Sequence, residues 1–384
     1  MPRPLRRTAA VCSLLLSFVI LQSPVDTDQS KNKSNNNPKI QIAILLDVSS
    51  SMNGLIDQAK NQLWNMVNIL SKVRCSGVVP KIEIALYEYG RSANDPAGGY
   101  IKQISVFTND LDKLFSELII LKTNGGDEYC GHVMYNSLTQ LDWDTVGNSY
   151  KVIFIAGNES FLQGNISFTE ACEKAKQKGV VVNTIYCGER SKGIAEHWDL
   201  GAECGNGSFS NIDHNAKPLS IKSPYDDSII RLKDSLNETL IVYGIEGRHY
   251  YNSMMQSDTM AVYNLNDPTK ITQYVIVKAN SNLVSNPKWD LVDAIEKNPM
   301  IIDTLDMNTL DDSLKNKSRK ELKQIVKQRG FERNHIRARI VELSIKQEKY
   351  IKAEKERLKE PRTLESEIEK IIREQVGRVK MKIE

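Results

Sequence analysis

Between residues 40 and 187 the sequence alternates short, almost continuously apolar runs with segments of helical periodicity. The apolar runs, which we predict to be strands, lie at 40–47, 81–90, 150–156 and 180–187, and a weaker run follows at 207–212. A strand that is apolar at nearly every position is buried on both faces, as in a parallel sheet covered by helices. The sequence therefore predicts an α/β fold with a doubly wound, mostly parallel sheet and helices on both faces.

Predicted helices fill the intervals between these strands, at 54–72, 111–121, 131–141 and 167–178. Apolar residues recur in the first of them at three- and four-residue spacing, which predicts one buried face. In sheets of this kind, ligands bind at the carboxyl ends of the strands. Asp47 and Asn158 lie at or just past two of these ends, so we expect a site there.

The length of 384 residues allows one large domain with an appendage, or two domains. We divide the chain into a signal peptide or N-terminal anchor at 1–23, a polar linker at 24–39, the α/β domain at 40–215, a mixed, mostly helical region at 216–314 and a basic helical tail at 315–384.

The N-terminus has the layout of a secretory signal. Arg3, Arg6 and Arg7 precede an apolar run at 8–21 that is too short for a comfortable transmembrane span. We therefore expect an exported protein, whether periplasmic, cell-surface or secreted. Because Pro24 makes the cleavage context poor, an uncleaved membrane anchor is the alternative, and it is the only membrane contact we expect.

The overall net charge of +3 hides an asymmetry between the tail and the rest of the chain. Residues 315–384 hold 22 Lys and Arg against 12 Asp and Glu, whereas the first 314 residues hold 29 against 36. We predict two or three helices in the tail, broken at Gly330 and Pro361. They form a hairpin or a coiled-coil segment for self-association, and a solvated surface is the simpler interpretation. The tail lacks interleaved aromatic residues, so no nucleic-acid partner is expected.

Asp47, Ser49 and Ser51 form a D-x-S-x-S pattern directly after the first predicted strand. Alternate residues of a loop leaving a strand can point the same way, so one carboxylate and two hydroxyls can converge. Such oxygen ligands suit a hard divalent cation, and they do not suit zinc, which prefers His and Cys. The alternative interpretation is an Asx-turn followed by a serine helix cap.

The D-x-S-x-S spacing after a first strand resembles the metal-ion-dependent adhesion site of von Willebrand factor type A domains. The resemblance covers about 40–215, and the stretch IAGNESFLQGNISFTEACEKAKQKGVVVNTIYCG is similar to exported bacterial proteins of this kind. It implies a Rossmann-like type A domain that binds Mg²⁺, with Ca²⁺ or Mn²⁺ as alternatives. One open position on the ion is completed by a carboxylate of a protein partner.

The resemblance also implies ligands from two further loops. In the segment TNGGDE it assigns Asp127, directly or through water, with Thr123 as a weaker candidate. In the loop after the fourth strand the family usually has an aspartate, and this chain has Asn158. That difference removes one negative charge. It weakens metal affinity and makes the ion more electrophilic toward an incoming carboxylate, or it indicates a partly degenerate site.

Five cysteines follow the signal, without the C-x-x-C spacing of a zinc site. Cys172, early in its predicted helix, and Cys187, at the end of the next strand, fall at the same end of the sheet. This placement allows a disulfide between them, and buried free thiols are the simpler interpretation.

The predicted function is therefore metal-dependent protein recognition of the adhesion type. The alternative is a structural or assembly protein that uses the α/β domain as a scaffold and the tail for oligomerisation. We expect no enzyme, since the sequence lacks a dinucleotide fingerprint, a phosphate-binding loop and a nucleophile elbow.

Overall fold

The computed structural model of the protein describes residues 38–145, 149–212, 220–265, 267–358 and 364–384. The strands in these residues are β1 (Lys39–Asp47), β2 (Val73–Cys75), β3 (Lys81–Tyr89), β4 (Lys102–Thr108), β5 (Tyr150–Gly157), β6 (Val181–Cys187), β7 (Phe209–Ile212) and β8 (Met381–Ile383). Six of them form the central sheet in the order β4-β3-β1-β5-β6-β7. All neighbours in this sheet are parallel except β3 and β4, which are antiparallel.

The helices follow and flank these strands. They are α1 (Asn53–Ser71), α2 (Leu111–Ile119), α3 (Cys130–Gln140), α4 (Phe168–Lys178), α5 (Arg190–Ala195), α6 (Trp198–Cys204), α7 (Asp226–Asn237), α8 (Gly247–Leu265), α9 (Pro268–Ala279), α10 (Leu291–Lys297), α11 (Ile301–Thr304), α12 (Asp312–Lys315), α13 (Arg319–Leu358) and α14 (Leu364–Val376). None of the helices in the described ranges is long and apolar enough to cross a membrane.

Both faces of the sheet are covered, as the strand β1 shows. Ile40, Ile42 and Leu46 belong to a core cluster shared with α1, α2, α9 and α14. Ala43 and Leu45, which point the opposite way, belong to a second cluster shared with α3, α4 and α6. Successive side chains of a strand alternate between faces, so two cores flanking one strand give the predicted doubly wound α/β fold. The fold class and the helical C-terminal region are confirmed.

The edge strand β4 was not predicted from the sequence. Its segment KQISVFT is mostly half-buried or exposed, and its pairing with β3 shifts register near Leu86. An irregular strand with one solvent-facing side lacks the continuous apolar run that marks the other strands.

The prediction that Gly330 breaks the tail is wrong, because α13 runs without interruption from Arg319 to Leu358. Burial of Leu322, Val326, Ile340 and Leu343 along one face outweighs the cost of about 1 kcal/mol for a glycine inside a helix. Pro361 lies outside the described residues, as do 1–37 with the predicted signal or anchor. The predicted domain boundaries stay predictions.

The end of the tail packs against the central sheet. Gln375 on α14 exchanges hydrogen bonds with the side chain of Asn183, at 2.6 and 3.1 Å, and accepts a bond of 2.7 Å from the hydroxyl of Tyr150. The last strand, β8, pairs antiparallel with β2. The region from 364 onward is therefore built into the body of the protein.

Cys172 pairs with Cys204, so the disulfide with Cys187 that the sequence allows is not formed. The Cα atoms of the bonded pair are 5.7 Å apart, while Cys187 is a buried free thiol. The physical reason is the face of the sheet. Cys172 belongs to the cluster beneath α4 and α6, whereas Cys187 points into the cluster on the opposite side.

Candidate functional site

Asp47, the last residue of β1, places its carboxylate in the interior at the carboxyl edge of the sheet. The side chain is fully buried. Its Oδ1 accepts a hydrogen bond of 2.7 Å from the backbone N–H of Ser49. Its Oδ2 is buried and has no hydrogen-bond partner among the described residues. A buried carboxylate oxygen without a donor is costly, so this atom is the first sign that a ligand belongs here.

The two serine hydroxyls continue from Asp47 toward the loop after β5. The Oγ atoms of Ser49 and Ser51 are 3.2 Å apart, and the hydroxyl of Ser51 donates to Oδ1 of Asn158 over 3.4 Å. Ser49 is buried, whereas Ser51 is exposed. The structure thus brings together Asp47, Ser49, Ser51 and Asn158, and the row of oxygens runs from the interior to solvent.

The segment 123–128 lies against the loop that follows β1. The backbone N–H of Asn124 donates to the carbonyl of Val48 over 2.8 Å, which ties the two loops together. The hydroxyl of Thr123 donates to the side chain of Asn53, near the start of α1. The segment 123–128 therefore lies at the site. The hydroxyl of Thr123, however, is hydrogen-bonded to Asn53. Its role as a weaker metal ligand stays a prediction.

Asp127 and Glu128 are neighbours in this segment, but their side chains have different surroundings. Asp127 is exposed, and its Oδ2 accepts a bond of 3.3 Å from the hydroxyl of Tyr129. Glu128 is only 9% exposed, and its Cγ lies 2.9 Å from the Cβ position of Gly90, which is also close to Asp47 Oδ1 and to the backbone nitrogen of Ser49. The structure therefore turns Glu128 toward Asp47 and Ser49, and the role of Asp127 as a ligand stays a prediction.

Gly90, directly after β3, leaves free the space that the side chains of Asp47 and Glu128 both approach. A Cβ atom at this position would lie 2.9 Å from Oδ1 of Asp47 and 2.9 Å from Cγ of Glu128. Its φ of +82° is also in the left-handed region that favours glycine. Only glycine fits here without displacing one of the carboxylates. The absence of a side chain at Gly90 therefore lets both acids approach the same point.

The electrostatics of the site are those of acidic groups without a basic partner. Burial raises the pKa of Asp47 to about 6, and the charge of Glu159 adds to that effect, while the hydroxyl and backbone of Ser49 and the backbone N–H of Asn158 oppose it. Burial also raises the pKa of Glu128 to about 8, with the charges of Asp47 and Glu159 acting in the same direction. Among the described residues, no Lys, Arg or His is one of the groups that contribute most to these two pKa values.

These observations fit a hard divalent cation. The unpartnered Oδ2 of Asp47, the serine hydroxyls and the amide oxygen of Asn158 are the oxygen ligands that Mg²⁺, Mn²⁺ and Ca²⁺ accept. In the described part of the chain, no group of three or more His, Cys, Asp and Glu side chains is placed to hold a metal. A cation here would therefore depend on hydroxyl and amide oxygens as well as carboxylates.

Glu128 lies at the site although the resemblance assigns only Asp127 in this segment. The sequence feature that points to Glu128 is the pair of consecutive acids in GGDE. Consecutive side chains in a loop generally point in different directions, so one acid of such a pair can face the site while the other faces solvent. The sequence does not say which of the two turns inward.

No protein-family model matches the sequence, and no curated protein matches it. Solved structures with a similar fold include proximal thread matrix protein 1 from the mussel byssus, described with a zinc-occupied MIDAS motif. It is 15% identical, with 47% of this chain and 43% of that chain covered and a TM-score of 0.36. The matched region thus spans less than half of the mussel protein.

Two further structures are similar over the same share of the chain. The SpRpn10 VWA domain is 17% identical, with 45% of this chain and 88% of that chain covered and a TM-score of 0.34. The pilus adhesin SpaC from Lactobacillus rhamnosus GG is 14% identical, with 46% and 28% covered and a TM-score of 0.33. Similarity at this level assigns no family and no ligand to this chain, so both stay proposals.

Proposed function

We propose that the protein is a recognition module of the von Willebrand factor type A kind, which binds an acidic group of a protein partner through a divalent cation. Asp47, Ser49 and Ser51 hold the cation, with Asn158 beside them. The observation that carries this proposal is the fully buried Oδ2 of Asp47, which has no hydrogen-bond donor among the described residues.

The burial of these residues indicates the role of each one at the proposed site. Asp47 is inaccessible and fixes the inner side of the site, whereas Ser51 and Asn158 lie toward solvent, where a partner can approach. The cation supplies a strong, directional attraction for a carboxylate oxygen. Mg²⁺ suits the site best, with Mn²⁺ or Ca²⁺ as alternatives, and no catalytic role is proposed.

The test is a thermal-shift titration of the full chain with Mg²⁺ and with Mn²⁺. We expect stabilisation of the wild type, because a ligand that binds only the folded state raises the free energy of unfolding. Asp47→Asn should lose that shift, and the matched control Asp234→Asn, an exposed carboxylate on α7, should keep it. An equal shift in wild type and Asp47→Asn would contradict the proposed site.

The cellular setting is part of the same proposal. The N-terminal run at 8–21 favours a place outside the cytoplasm, whether periplasmic, cell-surface or secreted. A partner found there should bind in the presence of Mg²⁺ and dissociate when the ion is chelated.

Self-association is the second candidate, and one surface favours it. Phe331, Val341 and Ile345 on α13 are 71%, 53% and 50% exposed, and with Ala338 they recur at three-, four- and seven-residue spacing. That spacing is typical of paired helices. Sedimentation of the full chain tests it: a dimer that Ile345→Glu disrupts supports assembly, whereas a monomer at all concentrations contradicts it.

A further inference from the structure

We propose that Glu128 is the second carboxylate of the ion site and supplies the negative charge that the site lacks at Asn158. This inference rests on the proposed function, since it concerns the same cation. It assigns the charge to the loop before α3 instead of the loop after β5. It also assigns it to Glu128 and not to its sequence neighbour Asp127.

The placement of Glu128 is the first step. Its Cγ and the Oδ1 of Asp47 are each 2.9 Å from the position that a Cβ of Gly90 would occupy, so the two side chains approach the same point. Glu128 therefore reaches the inner part of the site, where Asp47 is fully buried.

The second step is that buried acids elsewhere in the described residues are compensated. Glu88 is paired with Arg91 at 3.1 Å and Asp290 with Arg333 at 2.5 Å, while Asp226 accepts hydrogen bonds from Ser223 and Gln347. In the ranges that the structure describes, Glu128 has no ion pair with a basic residue, although only 9% of its surface is exposed to solvent. Burial of an acid without a counter-charge is unfavourable, so a structural role alone does not account for it.

The third step is that the site also contains an oxygen prepared for a ligand. The Oδ2 of Asp47 is fully buried and unpartnered among the described residues, independently of Glu128. When both are ionised, Asp47 and Glu128 supply two negative charges, which balance one dication. A neutral Asn158 is then compatible with binding, because the second charge comes from another loop.

The experiment measures Mg²⁺ and Mn²⁺ affinity of the full chain by isothermal titration calorimetry. Glu128→Gln keeps the shape of the side chain and removes its charge. We expect its dissociation constant to rise by about tenfold or more, as is typical when a group supporting a metal site is lost. Asp127→Asn, the matched control one residue away, should stay within about twofold of the wild type, since its carboxylate faces solvent.

A rescue variant tests charge compensation itself. Glu128→Gln combined with Asn158→Asp restores two carboxylates and should recover most of the lost affinity. The unfolding midpoint of each variant without metal, together with circular dichroism, shows whether it is folded, and Glu128→Gln is expected to be at least as stable as the wild type.

The outcomes separate this inference from the proposed function. If binding depends on Asp47 but Glu128→Gln binds as tightly as the wild type, the role of Glu128 is overturned and the ion site stands. If Asp127→Asn is the variant that loses binding, the two neighbouring acids were assigned the wrong way round. If Glu128→Gln loses binding and Asn158→Asp does not restore it, compensation is overturned. If the wild type binds neither ion, both proposals fail.

Discussion

Two pairs of buried carboxylates lie in different parts of this molecule and differ in how their charge is balanced. Near α10, Asp290 and Asp293 both accept hydrogen bonds from Nη1 of Arg333, at 2.5 and 2.6 Å. At the carboxyl edge of the sheet, Asp47 is fully buried and Glu128 is 9% exposed, and the described residues provide no ion pair for either. The same chain thus contains one pair of buried acids in contact with an internal cation and one pair for which the described residues provide none.

In the cluster of Asp290, Asp293 and Arg333, all three guanidinium nitrogens of the arginine donate hydrogen bonds. Arg333 also donates Nε to the hydroxyl of Thr239 and Nη2 to its carbonyl, both at 2.9 Å. These bonds attach α13 to α10 and to the end of α7. All three charged side chains are nearly fully buried, so water contributes little to balancing them.

Comparing the two pairs shows that the role of a buried acid depends on its counter-charge as well as on its burial. Burying a carboxylate is costly, and a protein can offset that cost with a cation of its own, as Arg333 does here. Where the described residues provide no such cation, an external cation is the physical complement. The contrast between the clusters can therefore be tested by changing the charge in each one and comparing the sign of the effect.

The largest expected effect is at Arg333. Arg333→Met leaves Asp290 and Asp293 buried without a counter-charge, and we expect the free energy of unfolding to fall by about 3–5 kcal/mol. Urea denaturation at pH 7 measures it. Adding Asp290→Asn and Asp293→Asn to the variant should recover part of the loss, because no uncompensated charge remains. A loss below about 1 kcal/mol would show that the cluster does not need its cation.

The next effect is a change of sign between matched substitutions. Asp290→Asn weakens bonds to Arg333 and should destabilise the protein by about 1–3 kcal/mol. Asp47→Asn removes a buried charge that repels Glu128, so without divalent cation at pH 8 it should stabilise by about 1–2 kcal/mol. Both are measured by urea denaturation with chelator present. Destabilisation of similar size by both variants would remove the distinction between the clusters.

Much of the site's location could be predicted from the sequence, because it depends on local patterns. The apolar run before Asp47 marks β1 as a buried strand, and parallel strands bring their carboxyl ends to one edge. The loops containing Asp47, Asn124 and Asn158 meet there, as expected. The periodicity carries this information without any knowledge of distant contacts.

The remaining features depend on backbone detail or on long-range packing. Which acid of GGDE turns inward is decided by the path of a loop that has no periodicity. The partner of Cys172 depends on the face toward which each cysteine points, and Cys187 points to the opposite core. The position of α14 depends on Gln375 reaching Asn183, 192 residues away in the sequence. No local pattern predicts such a contact.

The pH dependence of stability provides a smaller, separate test of the unbalanced cluster. The folded-state pKa values of Asp47 and Glu128 are raised to about 6 and about 8, above ordinary values of 3.8 and 4.5. The folded state therefore binds more protons than the unfolded state in this window, and stability falls as pH rises through it. The contribution is fully present below about pH 4 and is lost by about pH 8.

Urea midpoints of the wild type and Glu128→Gln, compared from pH 5 to 8.5 with chelator, isolate this effect because other titrating groups cancel. We expect the wild type to lose about 1–2 kcal/mol relative to the variant as pH rises, after allowance for solvent screening. Saturating Mg²⁺ should reduce or reverse the slope, since the cation binds the ionised carboxylates. Parallel curves for the two proteins in chelator would contradict the assignment of Glu128.

The smallest effect is expected where a counter-charge is exposed. Lys72 at the end of α1 forms an ion pair of 3.0 Å with Glu348 on α13, and these side chains are 33% and 64% exposed. Water already solvates both charges, so Lys72→Met should change the free energy of unfolding by less than about 0.5 kcal/mol. Comparison with Arg333→Met, under the same conditions, measures how far burial makes a counter-charge necessary. A loss at Lys72 as large as that at Arg333 would mean that ion pairing between helices, and not burial, makes Arg333 important for stability. That the described residues provide no counter-charge at the buried Asp47 and Glu128 would then no longer indicate a bound cation.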